Sequence, residues 1–303
     1  MVEKAKVEIS FKKLFTAYIV LILSYVTAFI VAILVGIFFS FLHPLLMILL
    51  ADLAATIVIF IISTILKNTS LYDPYWNTAP LIIALYYLLF PQIANGNIVR
   101  VIVVFVLVSI YSVRLTHNWA KQWRGLGHED WRYTNYRVKM GKKFWFINFT
   151  GLQLMPTIMV YLGSISLYPV LSLRTGTLGL LDIFAIIITA TAITLEALAD
   201  QQSYKFRRNR KNSQEFITTG LWKYSRHPNY LGEIMFWWGL YIFTLAANIL
   251  YFWVIIGPIA ITILFYVVSI PLMEKRNLER KPDYAEFKKN TSKLILWFSK
   301  KRN

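Results

Sequence analysis

The sequence predicts an all-α membrane protein, a polytopic transmembrane helical bundle of about eight spans. Hydrophobic residues make up 57% of the 303 residues and charged residues only 16%, whereas soluble domains carry about 25% charged residues. Many apolar runs also exceed the ~18 consecutive residues that are typical of a membrane-spanning helix. The alternating segments of about 10 residues that a membrane β-barrel requires are absent from the sequence.

The spans are predicted from uninterrupted apolar runs that polar loops separate. We place them near residues 14–42, 44–66, 79–94, 98–116, 144–171, 178–199, 230–249 and 251–273. The third is short and bracketed by Pro80 and Pro91, so we expect it to be tilted, broken or partly re-entrant. The seventh and eighth are separated by almost nothing, which predicts a tight helical hairpin around Asn248. The first run, from Leu14 to Leu42, is too long for the core of a cleavable signal peptide.

Basic residues are distributed unevenly over the predicted loops. With the N-terminus in the cytosol, 30 of the 32 Lys and Arg residues lie on the cytosolic side, and only Arg100 and Arg174 lie opposite. Because retained positive charge orients membrane proteins, we predict an even number of spans with both termini cytosolic. The net charge of +17 then reflects loops that face anionic lipid headgroups, and we predict no nucleic-acid partner. We treat residues 1–303 as a single membrane domain whose N-terminal spans occupy residues 1–71.

Several kinds of site are excluded by residues and motifs that the sequence lacks. Since there is no cysteine, disulfides, thiolate metal sites, iron–sulfur clusters and a cysteine nucleophile are ruled out. The four histidines never occur three or four residues apart, so no helix-borne metal site is predicted. Neither G-x-G-x-x-G nor the P-loop pattern occurs, and a bound nucleotide would therefore be held by side chains.

The polar end of the sixth predicted span supplies side chains suited to a nucleotide. Glu196 and Asp200 lie four residues apart and share a helix face, and Arg207 falls seven residues beyond Asp200 on about the same face. Carboxylates accept hydrogen bonds from ribose hydroxyl or amide groups, while guanidinium groups match pyrophosphate and an adenosine 2′-phosphate. The basic residues within 208–211 are interpreted as ordinary positive charges of a cytosolic loop.

The stretch GLWKYSRHPNYLGE (220–233) leads directly into the seventh span. Pro228 suits the first turn of a helix, which places Asn229 and Glu233 one turn apart on a single face. A glutamate one turn inside a span is costly unless it has a partner or faces a cavity. We therefore interpret this cluster as a binding site and not as simple interhelical hydrogen bonding.

RHPNYLGE followed by FWWG resembles the C-terminal domain of the steroid 5α-reductase family, which is similar in this region to sterol reductases and to isoprenylcysteine carboxyl methyltransferase. The chain resembles more closely an uncharacterised branch of that superfamily with an EDWRY motif. The resemblance covers about residues 72–292 and is carried by YDPYW (72–76), SVRLTHNWAKQWRGLGHEDWRY (112–133), GKKFWFINF (141–149), LEALADQQ (195–202), GLWKYSRHPNYLGE (220–233) and IPLMEKR…KPDYAEFKKNTS (270–292).

This resemblance implies a helical bundle that holds NADPH in a cavity open to the cytosol. The residues that match the family's cofactor-binding positions are Glu196, Asp200, Arg207, Tyr224, Arg226, His227, Asn229, Glu233 and, in the tail, Tyr284. The implied reaction delivers a hydride to one carbon of an activated C=C bond in an apolar lipid or sterol-like substrate, while the other carbon is protonated. The protein would supply orientation, a dry pocket and a hydrogen-bond donor to the developing oxyanion.

The catalytic acid is the point at which the sequence departs from the family. The 5α-reductases hold the steroid ketone with a glutamate on an early span and a tyrosine on the following one, and no pair here aligns with them. As catalytic candidates we select Asp73, which lies near Tyr75 on the cytosolic side, together with Tyr86 and Tyr87 on the third span. We set Asp52 aside because it lies mid-span in the second helix, nearer the bilayer centre than the cofactor loops.

Two other functions remain open. An S-adenosylmethionine-dependent methyltransferase of the isoprenylcysteine carboxyl type carries a similar R-H-P-x-Y-x-G element, but Asn229 and the EDWRY and LEALADQQ segments favour the reductase. A non-enzymatic transporter or lipid-binding scaffold would be supported by inverted repeats, and we find none. The oligomeric state is left open.

The sequence ends in Ser-Lys-Lys-Arg-Asn, with Lys300 and Lys301 at the fourth and third positions from the end. This resembles a dilysine retrieval signal, a receptor-read address that works only on a cytosolic tail. For a eukaryotic source it predicts location in the endoplasmic reticulum.

Overall fold

The computed structural model describes residues 11–93 and 96–298, without the side chain of Phe11, and these residues are mostly helical. Within those ranges no residue lies in a β-strand, and an isolated β-bridge joins Ser225 to Ser292. The α-helices are α1 Phe11–Phe38, α2 Pro44–Ile65, α3 Tyr75–Leu89, α4 Ile98–Ala120, α5 Trp131–Met140, α6 Phe144–Ile147, α7 Met155–Ser164, α8 Leu180–Asn209, α9 Pro228–Ala247, α10 Ile256–Ile263, α11 Ile270–Arg280 and α12 Tyr284–Asn290. The predicted all-α, polytopic membrane fold is therefore confirmed.

Seven helical segments of the described residues are long and apolar enough to cross a membrane. They are Lys12–Phe38, Pro44–Ile65, Ile98–Ala120, Trp131–Ser164, Leu180–Asn209, Pro228–Ala247 and Ile249–Arg280. The remaining predicted span, near 79–94, is α3, whose 15 residues are too few to cross a bilayer unaided. Pro80 lies inside this helix and does not bracket it as we predicted. The proline is tolerated because it removes only one early hydrogen bond, to the carbonyl of Trp76.

The fifth predicted span, near 144–171, is interrupted by π-helix. The segment begins at Trp131 and passes through a π-helix at Asn148–Leu154, and a second π-helix follows at Tyr168–Leu173. Such turns widen the helix and are frequent at functional sites. The first of them brings the buried amide of Gln153 to α2, where it donates a hydrogen bond to Ser63 Oγ at 3.1 Å.

Helix α9 begins and ends where the sequence predicts. Pro228 occupies its first position, where a backbone N–H would have had no partner within the helix. At the other end Asn248 has an extended backbone, with φ −162° and ψ 114°, and its side-chain oxygen accepts a hydrogen bond from the N–H of Leu250. This contact caps the 3₁₀-helix Ile249–Ile255, so the tight hairpin around Asn248 is confirmed.

The helices fall into two compact units. The first comprises the described part of Met1–Pro80 together with Leu115–Tyr161, and the second comprises the described parts of Leu81–Arg114 and Leu162–Asn303. The single domain over residues 1–303 stays a prediction. Every residue that we predict to bind the cofactor lies in the second unit, whereas Asp73 lies in the first.

Two glycines of α9 allow α8 to approach it closely within the second unit. Gly232 and Gly239 lie seven residues apart and therefore on one helix face. A Cβ atom at Gly232 would lie 2.7 Å from Glu196 Cβ and 2.8 Å from the carbonyl oxygen of Ala192, and one at Gly239 would overlap the hydroxyl of Thr189. The absent side chains thus set Glu196 directly against the first turns of α9.

Candidate functional site

Arg114 on α4 holds the two carboxylates of α8 that the sequence analysis selected. Its Nη2 atom lies 2.5 Å from Glu196 Oε2, and its Nη1 atom donates to Asp200 Oδ2 at 3.1 Å. Glu196 and Asp200 therefore share one face of α8, as predicted. We gave Arg114 no role, although an arginine within an apolar run is itself a signal of function.

Glu233, one turn into α9, is buried and hydrogen-bonded. The Tyr111 hydroxyl donates to its Oε1 atom at 2.5 Å, and the indole N–H of Trp237 donates to the same oxygen at 2.9 Å. Tyr111 was missed as well; its signal was a position three residues before Arg114, on the same helix face.

Arg226 and His227, in the turn before α9, converge on one carboxylate. The Oε1 atom of Glu274 on α11 lies 3.1 Å from Arg226 Nη2 and 3.5 Å from His227 Nε2, and all three side chains are buried. The imidazole stacks on the ring of Tyr230, with centroids 5.3 Å apart. Burial lowers the pKa of His227 below its usual value, although Glu274 acts in the opposite direction. The imidazole is therefore neutral at pH 7.

Asn229 and Arg207 differ from these residues because their side chains are accessible. Asn229, at the second position of α9, is half-buried, and among the described residues no hydrogen bond involves its side-chain amide. Arg207 is exposed near the end of α8, two turns beyond Asp200. Both can therefore meet a polar group that comes from outside the chain.

The two predicted cofactor tyrosines, Tyr224 and Tyr284, make mainly aromatic contacts. Tyr224 is half-buried, and its ring meets that of Phe298 edge-on with centroids 6.0 Å apart. Tyr284 opens α12, is 3% exposed and packs against Phe216 with centroids 5.3 Å apart. Burial raises the pKa of Tyr284, so its hydroxyl stays protonated. The contacts of Tyr284 are those of a packing residue.

Tyr86 and Tyr87, which we selected as catalytic candidates, lie away from the predicted cofactor residues. Their rings are 5.7 Å apart, and the Tyr87 ring lies 5.6 Å from that of Tyr168, which lies 6.2 Å from that of Tyr251. Tyr251 follows the end of α9, whereas Asn229 opens that helix. Because 20 residues of α-helix span about 30 Å, the two tyrosines belong to the opposite end of the second unit. Their catalytic role stays a prediction.

Asp73 lies in the first unit, where it meets the EDWRY motif. The Tyr133 hydroxyl donates to Asp73 Oδ1 at 2.5 Å, and Arg132 Nη2 lies 3.7 Å from the same oxygen. Burial raises the pKa of the Asp73 carboxyl to about 6, against the opposing effect of Arg132. Nearby, Glu129 Oε1 accepts a hydrogen bond from the N–H of Thr69 at 2.8 Å. The YDPYW and EDWRY segments therefore hold each other in place.

Asp52, which we set aside on the sequence, forms a buried pair with Tyr75. The Tyr75 hydroxyl donates to Asp52 Oδ1 at 2.6 Å, while the Oδ2 atom is buried without a hydrogen-bond partner among the described residues. The Tyr72 ring stacks on Tyr75, with centroids 5.5 Å apart. We placed Tyr75 on the cytosolic side and Asp52 in the middle of a span, yet the two side chains meet, and residues 68–72 before Tyr75 are buried. The first unit thus holds a carboxyl–tyrosine pair with spare hydrogen-bonding capacity.

The first turn of α9 is surrounded by polar groups that suit an organic ligand. Carboxyl groups there can accept from hydroxyl and amide donors, and the arginines and the Asn229 amide can donate to phosphate and carbonyl oxygens. In the part of the chain that the structure describes, no group of three or more His, Cys, Asp or Glu could hold a metal ion. The residues present fit a ligand that carries phosphates and hydroxyl groups.

Comparison with known proteins places the chain in a family. The family model described as a protein of unknown function, DUF1295, matches residues 59–291. The chain belongs to the DUF1295 family. An uncharacterized protein of the fission yeast Schizosaccharomyces pombe is 26% identical over 275 residues, which are 84% of this chain and 80% of the yeast protein. No solved structure matches the chain. The DUF1295 match includes all nine predicted cofactor residues and begins after Asp52.

Proposed function

We propose that the chain is a membrane-embedded, NADPH-dependent reductase of an activated C=C bond in an apolar lipid or sterol-like substrate. The description of the DUF1295 family names no activity. Support comes from the resemblance of its C-terminal half to the steroid 5α-reductase family and from the way in which the second unit assembles the matching residues. The substrate class is part of the same resemblance, and it suits the membrane setting because the bilayer concentrates apolar molecules.

The observation that carries the proposal is the state of Asn229. Its neighbours Arg226, His227 and Glu233 are held by other side chains, whereas its amide has no hydrogen bond within the described residues. An amide that presents both a donor and an acceptor beside fixed, oppositely charged groups is typical of a binding site prepared for a polar ligand. Interhelical hydrogen bonding alone would leave Asn229 engaged.

The chain's own residues would bind and orient the dinucleotide. When bound, NADPH supplies the hydride. Arg207 is accessible at the end of α8 and can bind the 2′-phosphate through its guanidinium fork. Asp200, fixed by Arg114, can accept from a ribose hydroxyl group, and Asn229 can bind an amide or a phosphate oxygen.

The test is a binding titration of the detergent-purified chain with NADPH, NADH and S-adenosylmethionine. We expect NADPH to bind and Asn229→Ala to weaken it about 5- to 150-fold, since the loss of a hydrogen bond to a buried polar group costs roughly 1–3 kcal/mol. Asn212→Ala is the matched control, because Asn212 is exposed and lies outside the cluster. Stabilisation by S-adenosylmethionine with no binding of either nucleotide would replace the reductase with a methyltransferase. Normal NADPH binding by Asn229→Ala would remove that residue from the site.

We propose that both termini face the cytosol, which requires α3 to complete a crossing together with the residues that flank it. If the source is eukaryotic, we propose that the protein lies in the endoplasmic reticulum. The dilysine residues Lys300 and Lys301 lie outside the described residues. Asn68-Thr-Ser and Asn290-Thr-Ser both match the N-glycosylation pattern Asn-x-Ser/Thr. Asn68 is a poor probe of sidedness, because its amide is buried and donates to the carbonyl oxygen of Leu126 at 2.8 Å. Asn290 is the better probe, and we expect it to stay unmodified in a eukaryotic host. A glycosidase-sensitive mass shift at Asn290 would reverse the proposed orientation of the tail.

A further inference from the structure

The segment that follows α12 runs alongside the turn that precedes α9. We call residues 291–298 the tail strap and residues 224–227 the cofactor turn. Three hydrogen bonds join them: Arg226 N–H to Ser292 O at 2.9 Å, Ser225 Oγ–H to Leu294 O at 2.7 Å and Trp297 N–H to Tyr224 O at 3.1 Å. The conformation of the cofactor turn therefore depends on a part of the chain far away in sequence.

Glu274 on α11 ties the cofactor turn to α12. Its Oε1 atom lies 3.1 Å from Arg226 Nη2, and its Oε2 atom lies 2.9 Å from Lys288 Nζ. Arg226 closes the arrangement by donating from Nη1 to the carbonyl oxygen of Lys288 at 2.7 Å. The Glu274 side chain is 6% exposed, and charge-assisted hydrogen bonds are strongest where water is excluded.

One N–H donor of the Arg226 guanidinium group makes no hydrogen bond to the described residues. The Nε–H of Arg226 is buried and has no hydrogen-bond partner among the described residues, although Nη1 and Nη2 are engaged by Lys288 and Glu274. An arginine side chain loses rotamer entropy when it is fixed. If the protein fixes it before a ligand arrives, that cost no longer opposes binding.

We propose that Glu274 is a positioning residue of the nucleotide site and that, with the tail strap, it holds Arg226 and His227 ready for the ligand's phosphates. This inference rests on the proposed NADPH binding. Glu274 itself touches no ligand in this scheme and acts only through Arg226 and His227. We assigned no role to this glutamate of the IPLMEKR segment from the sequence, because Arg226 and His227 lie about 50 residues earlier.

The test compares Glu274→Gln with Glu279→Gln. Both glutamates lie on α11 and line the same cleft of about 510 Å³, but Glu279 is exposed and serves as the matched control. Ser225→Ala is a second variant, because it removes the hydroxyl bond to Leu294 without leaving a buried charge unpaired. Ser225→Ala can still test the proposal if Glu274→Gln does not fold.

Two measurements on the full-length chain in detergent decide between the outcomes. Hydrogen exchange of the nucleotide-free protein should rise in the cofactor turn and in the tail strap for Glu274→Gln and Ser225→Ala, and not for Glu279→Gln. NADPH affinity, measured well below the unfolding temperature of each variant, should fall about tenfold for Glu274→Gln, as expected for one charge-assisted hydrogen bond. Ser225→Ala should weaken NADPH binding less.

The possible results separate the positioning role from the proposed function. Unchanged exchange in both segments would overturn the coupling, whatever the nucleotide does. Raised exchange with unchanged NADPH affinity would make Glu274 structural and overturn its positioning role. If the wild-type chain binds no NADPH, the proposed function fails, and the positioning role fails with it. The hydrogen-exchange data would then still show whether the tail strap and the cofactor turn are coupled.

Discussion

Helices α4 and α8 carry an arginine–carboxylate pair at each end, and the two pairs differ in how completely they are hydrogen-bonded. At one end Arg100 donates to both oxygens of Asp182, at 2.6 and 2.9 Å. At the other end Arg114 contacts Glu196 and Asp200. Arg100 precedes Arg114 by 14 residues, and Asp182 precedes Glu196 by the same number. The sequence pattern alone therefore makes the two ends equivalent.

Arg100 finds its partners within the protein. It is 1% exposed, and beyond Asp182 its guanidinium donates to the carbonyl oxygens of Thr175, Thr177 and Ala246 at 2.6–3.1 Å. These contacts join the starts of α4 and α8 to the end of α9. With its donors engaged in this way, this end of the unit is a structural latch.

The Arg114 end has an excess of carboxyl groups over cations. Glu196, Asp200 and Glu233 gather around one guanidinium, whose Nε–H is buried without a hydrogen-bond partner among the described residues. Buried polar groups that lack partners are costly and are retained mainly where function needs them. Hydrogen-bond completeness, and not burial alone, distinguishes the structural pair from the candidate functional one.

The largest effect is expected from Asp182→Asn. The substitution leaves Arg100 buried without a counter-charge, which typically costs about 3–5 kcal/mol of folding free energy. The thermal unfolding temperature in detergent should fall steeply, whereas Asp283→Asn, at an exposed position, should have no effect. An unchanged unfolding temperature for Asp182→Asn would contradict the latch and erase the contrast between the two ends.

Arg114→Met should affect ligand binding more than folding. The carboxyl groups around Arg114 can take up protons when the cation is lost, so we expect a smaller loss of stability than with Asp182→Asn. NADPH affinity should fall about tenfold or more, roughly 1.4 kcal/mol, because Glu196 and Asp200 lose the group that orients them. The check is a nucleotide titration with unfolding measured in parallel. A large loss of stability with normal NADPH affinity would make both ends structural.

Arg207→Ala sharpens the assignment of the accessible arginine. If its guanidinium binds the 2′-phosphate, NADPH affinity should fall about tenfold towards that of NADH, while NADH affinity stays the same. Arg208→Ala is the matched control, since Arg208 is the exposed neighbouring residue. An equal loss for both nucleotides would show that Arg207 acts on something other than the 2′-phosphate.

The smallest expected effect is on the pH dependence of stability, and it tests the environment of His227 at the start of α9. Because burial keeps the folded-state pKa of His227 below its usual value, stability should be lost as pH falls below about 6.5. Arg226 and Lys293 oppose protonation, while Glu274 favours it. The unfolding temperature should drop more between pH 7.5 and 5.5 in the wild type than in His227→Gln, whereas His128→Gln should follow the wild type. If the unfolding temperatures of His227→Gln and the wild type fall equally with pH, His227 makes no contribution to the pH dependence of stability.

Local signals in the sequence predicted the elements that local structure determines. The start of α9 follows from Pro228, and the hairpin that ends it follows from Asn248. Apolar runs located seven spans, but not the length of α3, because Pro80 is accommodated inside that helix. The period of an α-helix was enough to predict that Glu196 and Asp200 share a helix face.

The residues that the sequence analysis missed depend on contacts between distant segments. Tyr111 meets Glu233 across 122 residues, and no local pattern encodes such a pairing. Asp52 was set aside because it lies nearer the bilayer centre than the cofactor loops, and its hydrogen bond with Tyr75, 23 residues later, is not encoded by a local pattern. Arg114 could have been selected from the sequence, because a charged residue inside an apolar run indicates a functional site.

The two ion pairs on α4 and α8 also restrict how the second unit can move. They lie 14 residues apart on each helix, a separation of about 21 Å. Sliding α4 along α8 by a single turn, about 5.4 Å, would break both pairs at once, so shear between these helices is opposed at two levels. We therefore expect an opening that admits a ligand to the first turn of α9 to occur in segments held by a few exchangeable hydrogen bonds, such as residues 291–298.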